Sequence, residues 1–196
     1  MTANSPTLIL ASSSRYRRGL LEKLGLNIRA VAPNIDESPL TGEKPQDLAL
    51  RLAEQKARAV AIEHPGALII ASDQVADLNG QAMGKPGTPE AAIAQLKRCS
   101  GNAVLFHTAL ALYNTATQSL QSTLDQTRVR FRDLDDDAIA RYVEREPALD
   151  CAGAFKVEGL GITLFEAIES RDPNSLIGLP LIELISMLQR ENYPVL

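Results

Sequence analysis

Ser12, Ser14, Arg17 and Arg18 stand where a short apolar run, Leu8-Ile9-Leu10-Ala11, gives way to a helical pattern. A helix start offers unpaired backbone N–H groups and partial positive charge, so it takes phosphate readily. Serine hydroxyls add donors, and arginine adds bidentate charge-assisted bonds. On chemistry alone, capping plus surface charge explains the same residues equally well. Glu37 lies in a loop bounded by Pro33 and Pro39, and Asp73 follows the most apolar strand in the chain. Carboxylates at strand ends in α/β sheets often hold a hard cation through oxygen. Taken singly, each is also an ordinary turn residue. Lys56 falls on the apolar side of a long helix, where it needs a partner or a ligand, and Lys85 follows a glycine in a turn. A snorkelling or exposed lysine is the plainer reading of either one alone.

Other catalytic inventories are missing. The histidines are His64, before a proline at a helix end, and His107, inside a strand pattern. There is no G-x-S-x-G elbow, no Walker A sequence, and no glycine-rich turn after the first strand. Gly159-Leu160-Gly161 alone carries little. Cys99 and Cys151 are too few for a disulfide framework or a four-ligand zinc site, which points to a reducing cytosol.

The elements that must position these residues follow from hydrophobic period and punctuation. Residues 8–11 read as a buried strand, and Leu20, Leu21 and Leu24 form one side of the next helix, stopped by Gly25. Residues 27–32 read as a second strand. Pro45 opens a helix to about Ile62, and residues 67–72 form a third strand. Asn79-Gly80 marks a hairpin, and Thr88-Pro89 starts a helix that Ser100-Gly101 ends. Residues 103–113 and 120–132 read as long antiparallel strands with one wet face. Asp135-Asp136-Asp137 opens a helix through Glu144, residues 162–168 form a last strand, and Pro180 begins the final helix. The expected fold class is α/β: a mixed twisted sheet with antiparallel parts, flanked by helices, in a single domain spanning residues 1–196.

Composition bounds the partners. With 196 residues the chain buries a core without staples, and 45% hydrophobic against 22% charged residues sets aside disorder and coiled coil. No apolar run approaches the roughly 20 residues of a membrane span. The first six residues lack a basic region and an apolar stretch, so no secretory signal is expected and the cytoplasm is the expected site. The net charge of −4 argues against nucleic-acid polymer, yet Arg15, Arg17, Arg18, Lys23 and Arg29 face only Glu22 within the first 30 residues. A local cationic centre in an acidic protein suits a small anion; the bland alternative is a solvated helix face.

Taken together and in order, these residues resemble the Maf family of nucleoside triphosphate pyrophosphatases. The likeness runs from Leu8-Ile9-Leu10-Ala11-Ser12-Ser13-Ser14-Arg15-Tyr16-Arg17-Arg18 through Asp36-Glu37, Ala53-Glu54-Gln55-Lys56-Ala57, Ser72-Asp73-Gln74, Gly84-Lys85-Pro86 and Ser100-Gly101-Asn102. It continues to Ala152-Gly153-Ala154-Phe155-Lys156-Val157-Glu158-Gly159 and Gly178-Leu179-Pro180. Arg15 departs from the proline often found there in the family. The resemblance implies two lobes around a nucleotide cleft in a Maf/ITPase-like fold, and often a dimer. It implies hydrolysis between the α- and β-phosphates, with a divalent metal such as Mg, Mn or Co. It makes Asp73 the general base and places Glu37 with it at the metal. It makes Ser12, Ser14, Arg17, Arg18, Lys56, Lys85 and Lys156 the phosphate ligands.

Three further positions, Tyr16, Gln74 and Glu158, resemble the branch acting on 7-methyl-GTP. A 7-methylguanine ring is cationic, so Tyr16 can stack on it and Glu158 can accept bonds from its N1–H and 2-amino edge. Gln74 is expected to donate or accept at the base edge. An ordinary helix-surface tyrosine and loop carboxylate remain the alternative. The rival activities are pyrophosphatase action on dTTP, UTP or another canonical triphosphate, a nucleotide-binding regulator of division and septum formation, and hydrolysis of a smaller phosphoester.

Overall fold

A computed structural model describes residues 6–196. The N-terminal residues 1–5, which entered the reading of the secretory signal, lie outside the described residues. The elements in order are β1 (Thr7–Ala11), α1 (Arg15–Lys23), β2 (Ile28–Val31), α2 (Pro45–Ala61), β3 (Ala67–Leu78), β4 (Gln81–Met83) and α3 (Pro89–Cys99). Then come β5 (Ala103–Asn114), β6 (Ser119–Phe131), α4 (Asp136–Arg145), two 3-10 turns (Ala152–Ala154 and Leu160–Leu164), β7 (Phe165–Ser170) and α5 (Leu181–Arg190). The strands form one mixed sheet in the order β2-β1-β3-β5-β6-β7, with β4 on the free part of β3. β1 pairs in parallel with β2 and β3; the other pairings are antiparallel.

Strand alternation separates two packing faces. Ile9, Ile69, Ala71, Ala109 and Ala111 face α2, which lays Leu48, Leu52, Ala53 and Val60 on them. Leu8, Leu10, Leu68, Ile70, Leu110 and Leu112 point the other way, onto Leu20 and Leu21 of α1 and Leu184 and Leu188 of α5. β3, β5 and β6 are long enough to run on into a second lobe, where α3, α4 and β7 close another core. Its centre holds all four phenylalanines of the chain, edge-to-face, with Phe155 4.6 Å from Phe165 and 5.3 Å from Phe106. Truncating a buried ring of this kind to alanine costs about 3–5 kcal/mol.

The punctuation residues act as read. Asn79 (φ 55°) and Gly80 (φ 82°) both sit in the left-handed region that a tight two-residue hairpin requires. Asp77 Oδ1 accepts the Gly80 N–H at 2.6 Å and braces that turn. Thr88 caps α3 by accepting from Ala91 N, and Asp135 caps α4 by accepting from Ala138 N.

Two expectations shift. The last strand is Phe165–Ser170 instead of residues 162–168, because residues 160–164 wind into a 3-10 turn. Gly161 lies so close to the Lys156 carbonyl that a Cβ there would clash with it. Asp73 does not end a strand. β3 continues through it, with Asp73 paired opposite Ala109.

Candidate active site

The sheet is interrupted along one edge of β3. β1 holds that edge as far as Leu10–Ile70, and β4 takes it up only at Met83–Ala76. Between them residues 71–75 have no strand partner on that side among the described residues. β1 and β3 are parallel, and the chain leaves β1 toward β2 before returning on the opposite side to β3. The carboxyl ends of such strands mark a switch point, where α/β sheets bind ligands. A cavity of about 720 Å³ opens here, within the range of small-molecule sites.

The turn from β1 into α1 forms one wall. Ser14 caps α1, its Oγ accepting from Arg17 N at 3.3 Å. Ser12 Oγ accepts from Ser14 N at 3.1 Å and from Arg17 Nη1 at 3.4 Å, so its own O–H remains available as a donor. Arg17 is held at its other end by Nε donating to the Gly178 carbonyl at 2.8 Å. Burial lowers its guanidinium from the ordinary value, while Asp73 and Glu37 oppose that; arginine keeps its charge in such surroundings. Arg18 does not join this wall. It lies exposed on the far side of α1, paired with Glu22 at 2.9 Å.

α2 contributes Leu48, Leu52 and Lys56 on one face. Lys56 is buried, and its ammonium meets two carboxylates at once: Asp73 Oδ1 at 2.6 Å and Glu37 Oε1 at 2.9 Å. Each carboxylate keeps a second oxygen that no protein donor reaches among the described residues. Burial pushes the Asp73 carboxyl up from its ordinary value, with Lys56 and Arg17 pulling it part-way back. The loop bearing Glu37 is anchored by a bidentate pair, Arg51 Nε to Glu43 Oε1 at 2.6 Å and Nη2 to Glu43 Oε2 at 2.7 Å. Arg51 Nη2 also donates to the Ser38 carbonyl.

Lys85, after the β3–β4 hairpin, and Lys156, after the first 3-10 turn, also line the cavity. Neither they nor Arg17 forms an ion pair among the described residues. The cavity therefore combines cations that form no ion pair among the described residues with a carboxylate pair. That pattern suits a polyanion carrying a hard cation.

A third part of the cavity is apolar, built from Val75, Met83, Phe106, Phe155 and Leu176. Tyr16, Gln74 and Glu158 line the same cavity. Tyr16 already attracts a cation: the Arg15 guanidinium lies 5.0 Å from the ring centre, and Nη2 donates to the phenol oxygen at 3.0 Å. Gln74 spends its amide nitrogen on Thr108 Oγ1 (2.9 Å), the Ser175 carbonyl (2.9 Å) and the Leu176 carbonyl (3.2 Å). Three acceptors around one atom fix which end is nitrogen. Its oxygen is thereby left as an acceptor, narrowing the donate-or-accept expectation. Cys151 also lines the cavity, but burial and Asp150 push its thiol up to about 11, so it is not a ready nucleophile. Cys99 is buried in the core.

The sequence named Ser72 and Gly178 only as parts of the family likeness, without a role at the site, and did not point to the apolar lining. Ser72 follows an apolar run and donates to the Gly178 carbonyl at 2.8 Å. The apolar lining comes from segments far apart in the chain, with no local signature.

Fold and site thus describe an α/β protein whose switch-point cleft is lined by Arg17, Lys85, Lys156 and a carboxylate pair. The Ham1 protein of Staphylococcus aureus shares the fold, with a TM-score of 0.52 at 18% identity over 94% of this chain and 99% of that one. A model of the family described as Maf-like protein matches residues 7–191, and the chain belongs to that family. It is 54% identical over 184 residues to a protein of Aromatoleum aromaticum named 7-methyl-GTP pyrophosphatase, covering 94% of this chain and 95% of that relative.

Proposed function

We propose that this protein hydrolyses 7-methyl-GTP to 7-methyl-GMP and diphosphate. The observation that carries the proposal is the buried Lys56 ammonium joining Asp73 and Glu37 on one side of the cleft, with Arg17, Lys85 and Lys156 unpaired around it. The relative named 7-methyl-GTP pyrophosphatase supports the same reading.

Phosphoryl transfer is mostly positioning and charge neutralisation. In this reading the Ser12 hydroxyl, the start of α1, Arg17, Lys85 and Lys156 hold the triphosphate. Asp73 takes the proton of the attacking water; burial makes its carboxylate more basic than an exposed one. Lys56 orients Asp73 and Glu37 toward each other and is spent on them instead of on phosphate. Arg18 has no part, because its side chain points away from the cleft.

A divalent ion fits the donor set. Glu37 and Asp73 offer two hard oxygens on one wall, and magnesium takes one or two carboxylates together with substrate phosphates and waters. Such an ion would neutralise charge on the phosphate chain. No group of three or more acidic, cysteine or histidine side chains forms a metal cage among the described residues.

The apolar pocket takes the base. Tyr16 offers its ring to the cationic methylguanine, Glu158 an anionic acceptor, and Gln74 its fixed amide oxygen. Stacking of a cation on one aromatic ring contributes about 0.5–2 kcal/mol. Phosphorus NMR of the reaction tests the proposal. Diphosphate and nucleoside monophosphate must appear together; nucleoside diphosphate with orthophosphate would refute it.

A further inference from the structure

The segment between β7 and α5, residues 171–180, reaches the cleft mainly through main-chain carbonyls. The Gly178 carbonyl accepts from both Arg17 Nε and Ser72 Oγ at 2.8 Å. The Ser175 carbonyl accepts from Gln74 Nε2 at 2.9 Å and Thr108 Oγ1 at 3.0 Å, and the Leu176 carbonyl from Gln74 Nε2 at 3.2 Å. One short strap thus sets the phosphate-side guanidinium and the base-side amide together. Gly178 holds φ at +122°, a conformation open to glycine, and a Cβ there would come within 3.4 Å of Arg17 Nε.

The strap is itself held by one side chain. Asp172 is 1% exposed and forms no ion pair among the described residues. Its Oδ1 accepts from Asn174 N at 2.8 Å and Asn174 Nδ2 at 2.9 Å, closing the turn that begins the strap. Its Oδ2 accepts from Ile182 N at 2.7 Å, at the start of α5. α5 has Pro180 at its cap and no other side-chain acceptor there. A buried carboxylate with three donors and no cation is a costly choice unless those donors need fixing. Asp172 pins both ends of the strap whose carbonyls aim Arg17 and Gln74.

We infer that Asp172 is a positioning residue of the cleft, acting through the carbonyls of Ser175, Leu176 and Gly178 on Gln74 and Arg17. It touches no substrate. Its kinetic consequence rests on the pyrophosphatase reading; its structural consequence does not.

The test uses Asp172→Asn, which replaces one acceptor oxygen by a donor. Hydrogen exchange of the Arg17 Nε–H, assigned by the loss of its signal in Arg17→Lys, should quicken by about tenfold or more as the Gly178 carbonyl drifts. The KM for 7-methyl-GTP should rise about tenfold with kcat changed less than about threefold, since a ligand for the bound triphosphate is misplaced. In an Arg17→Ala, Gln74→Ala background the same substitution should add less than about twofold to KM, because both residues it positions are gone. Asn174→Ala, which removes one donor only, should give the same pattern at smaller size and serves if Asp172→Asn does not fold. Equal KM factors in both backgrounds, or a lowered melting temperature with Arg17 exchange unchanged, would overturn the inference. A wild-type protein inactive on every triphosphate defeats the pyrophosphatase reading instead, and Arg17 exchange still decides this one.

Discussion

Lys56 Nζ lies 2.6 Å from Asp73 Oδ1 with both side chains less than a tenth exposed, so losing the lysine takes the Asp73 carboxylate's hydrogen-bonded cation away inside the protein. Removing one partner of a buried pair strands its counter-charge. Lys56→Met should therefore lower stability by about 3 kcal/mol in urea unfolding. Adding Asp73→Asn should restore more than half of that loss. A double variant no more stable than Lys56→Met alone would mean that the pair is not the source of the cost.

Asp73→Asn alone separates chemistry from binding. Turnover should fall by at least about 10²-fold, in line with loss of a general base. Binding of the triphosphate without divalent ion, measured by calorimetry, should stay within a few-fold, because Ser12, Arg17, Lys85 and Lys156 are untouched. Full activity in this variant would remove Asp73 from the mechanism.

Glu43 and Arg51 anchor the loop that carries Glu37, and they make a pH-dependent contribution. The Arg51 guanidinium holds the Glu43 carboxyl down to about 2, against an ordinary 4.5. Between those values the unfolded chain binds the proton and the folded chain does not, so the contribution is full above 4.5 and is lost as pH falls toward 2. The stability difference between wild type and Glu43→Gln should be widest near neutral pH and close in acid. A difference independent of pH would show that the pair does not act through charge.

Much of the frame was legible because the deciding signals are local. Asn79-Gly80, Thr88-Pro89 and Asp135 each fix a turn or cap within four residues. Lys56 was readable because the stripe Leu48, Leu52 and Lys56 places it inward. The same rule distinguishes the neighbouring arginines. Arg17 shares a stripe with Leu20, Leu21 and Leu24, whereas Arg18 sits four residues before Glu22 on the other side. Asp73 was misplaced to a strand end because polar residues interrupt an apolar run. Their side chains line a cleft while their backbone still pairs with β5. The strap on Arg17 and Gln74 joins residues more than 100 apart through backbone carbonyls, which carry no sequence signature.

Base preference should respond to the cleft's aromatic and acidic pair. Tyr16→Arg with Glu158→Gln replaces a cation-attracting ring by a cation and removes an anionic acceptor. The ratio of kcat/KM for 7-methyl-GTP over GTP should fall about tenfold or more, from loss of stacking and charge pairing together. An unchanged ratio would place base discrimination elsewhere in the pocket.

The most direct measurement is the wild-type enzyme's kcat/KM across 7-methyl-GTP, GTP, dTTP, UTP and CTP, with diphosphate and orthophosphate assayed separately. Diphosphate as the phosphorus product, with 7-methyl-GTP as the best substrate, is the expected result. Orthophosphate release, or a higher kcat/KM for UTP or dTTP, would contradict it.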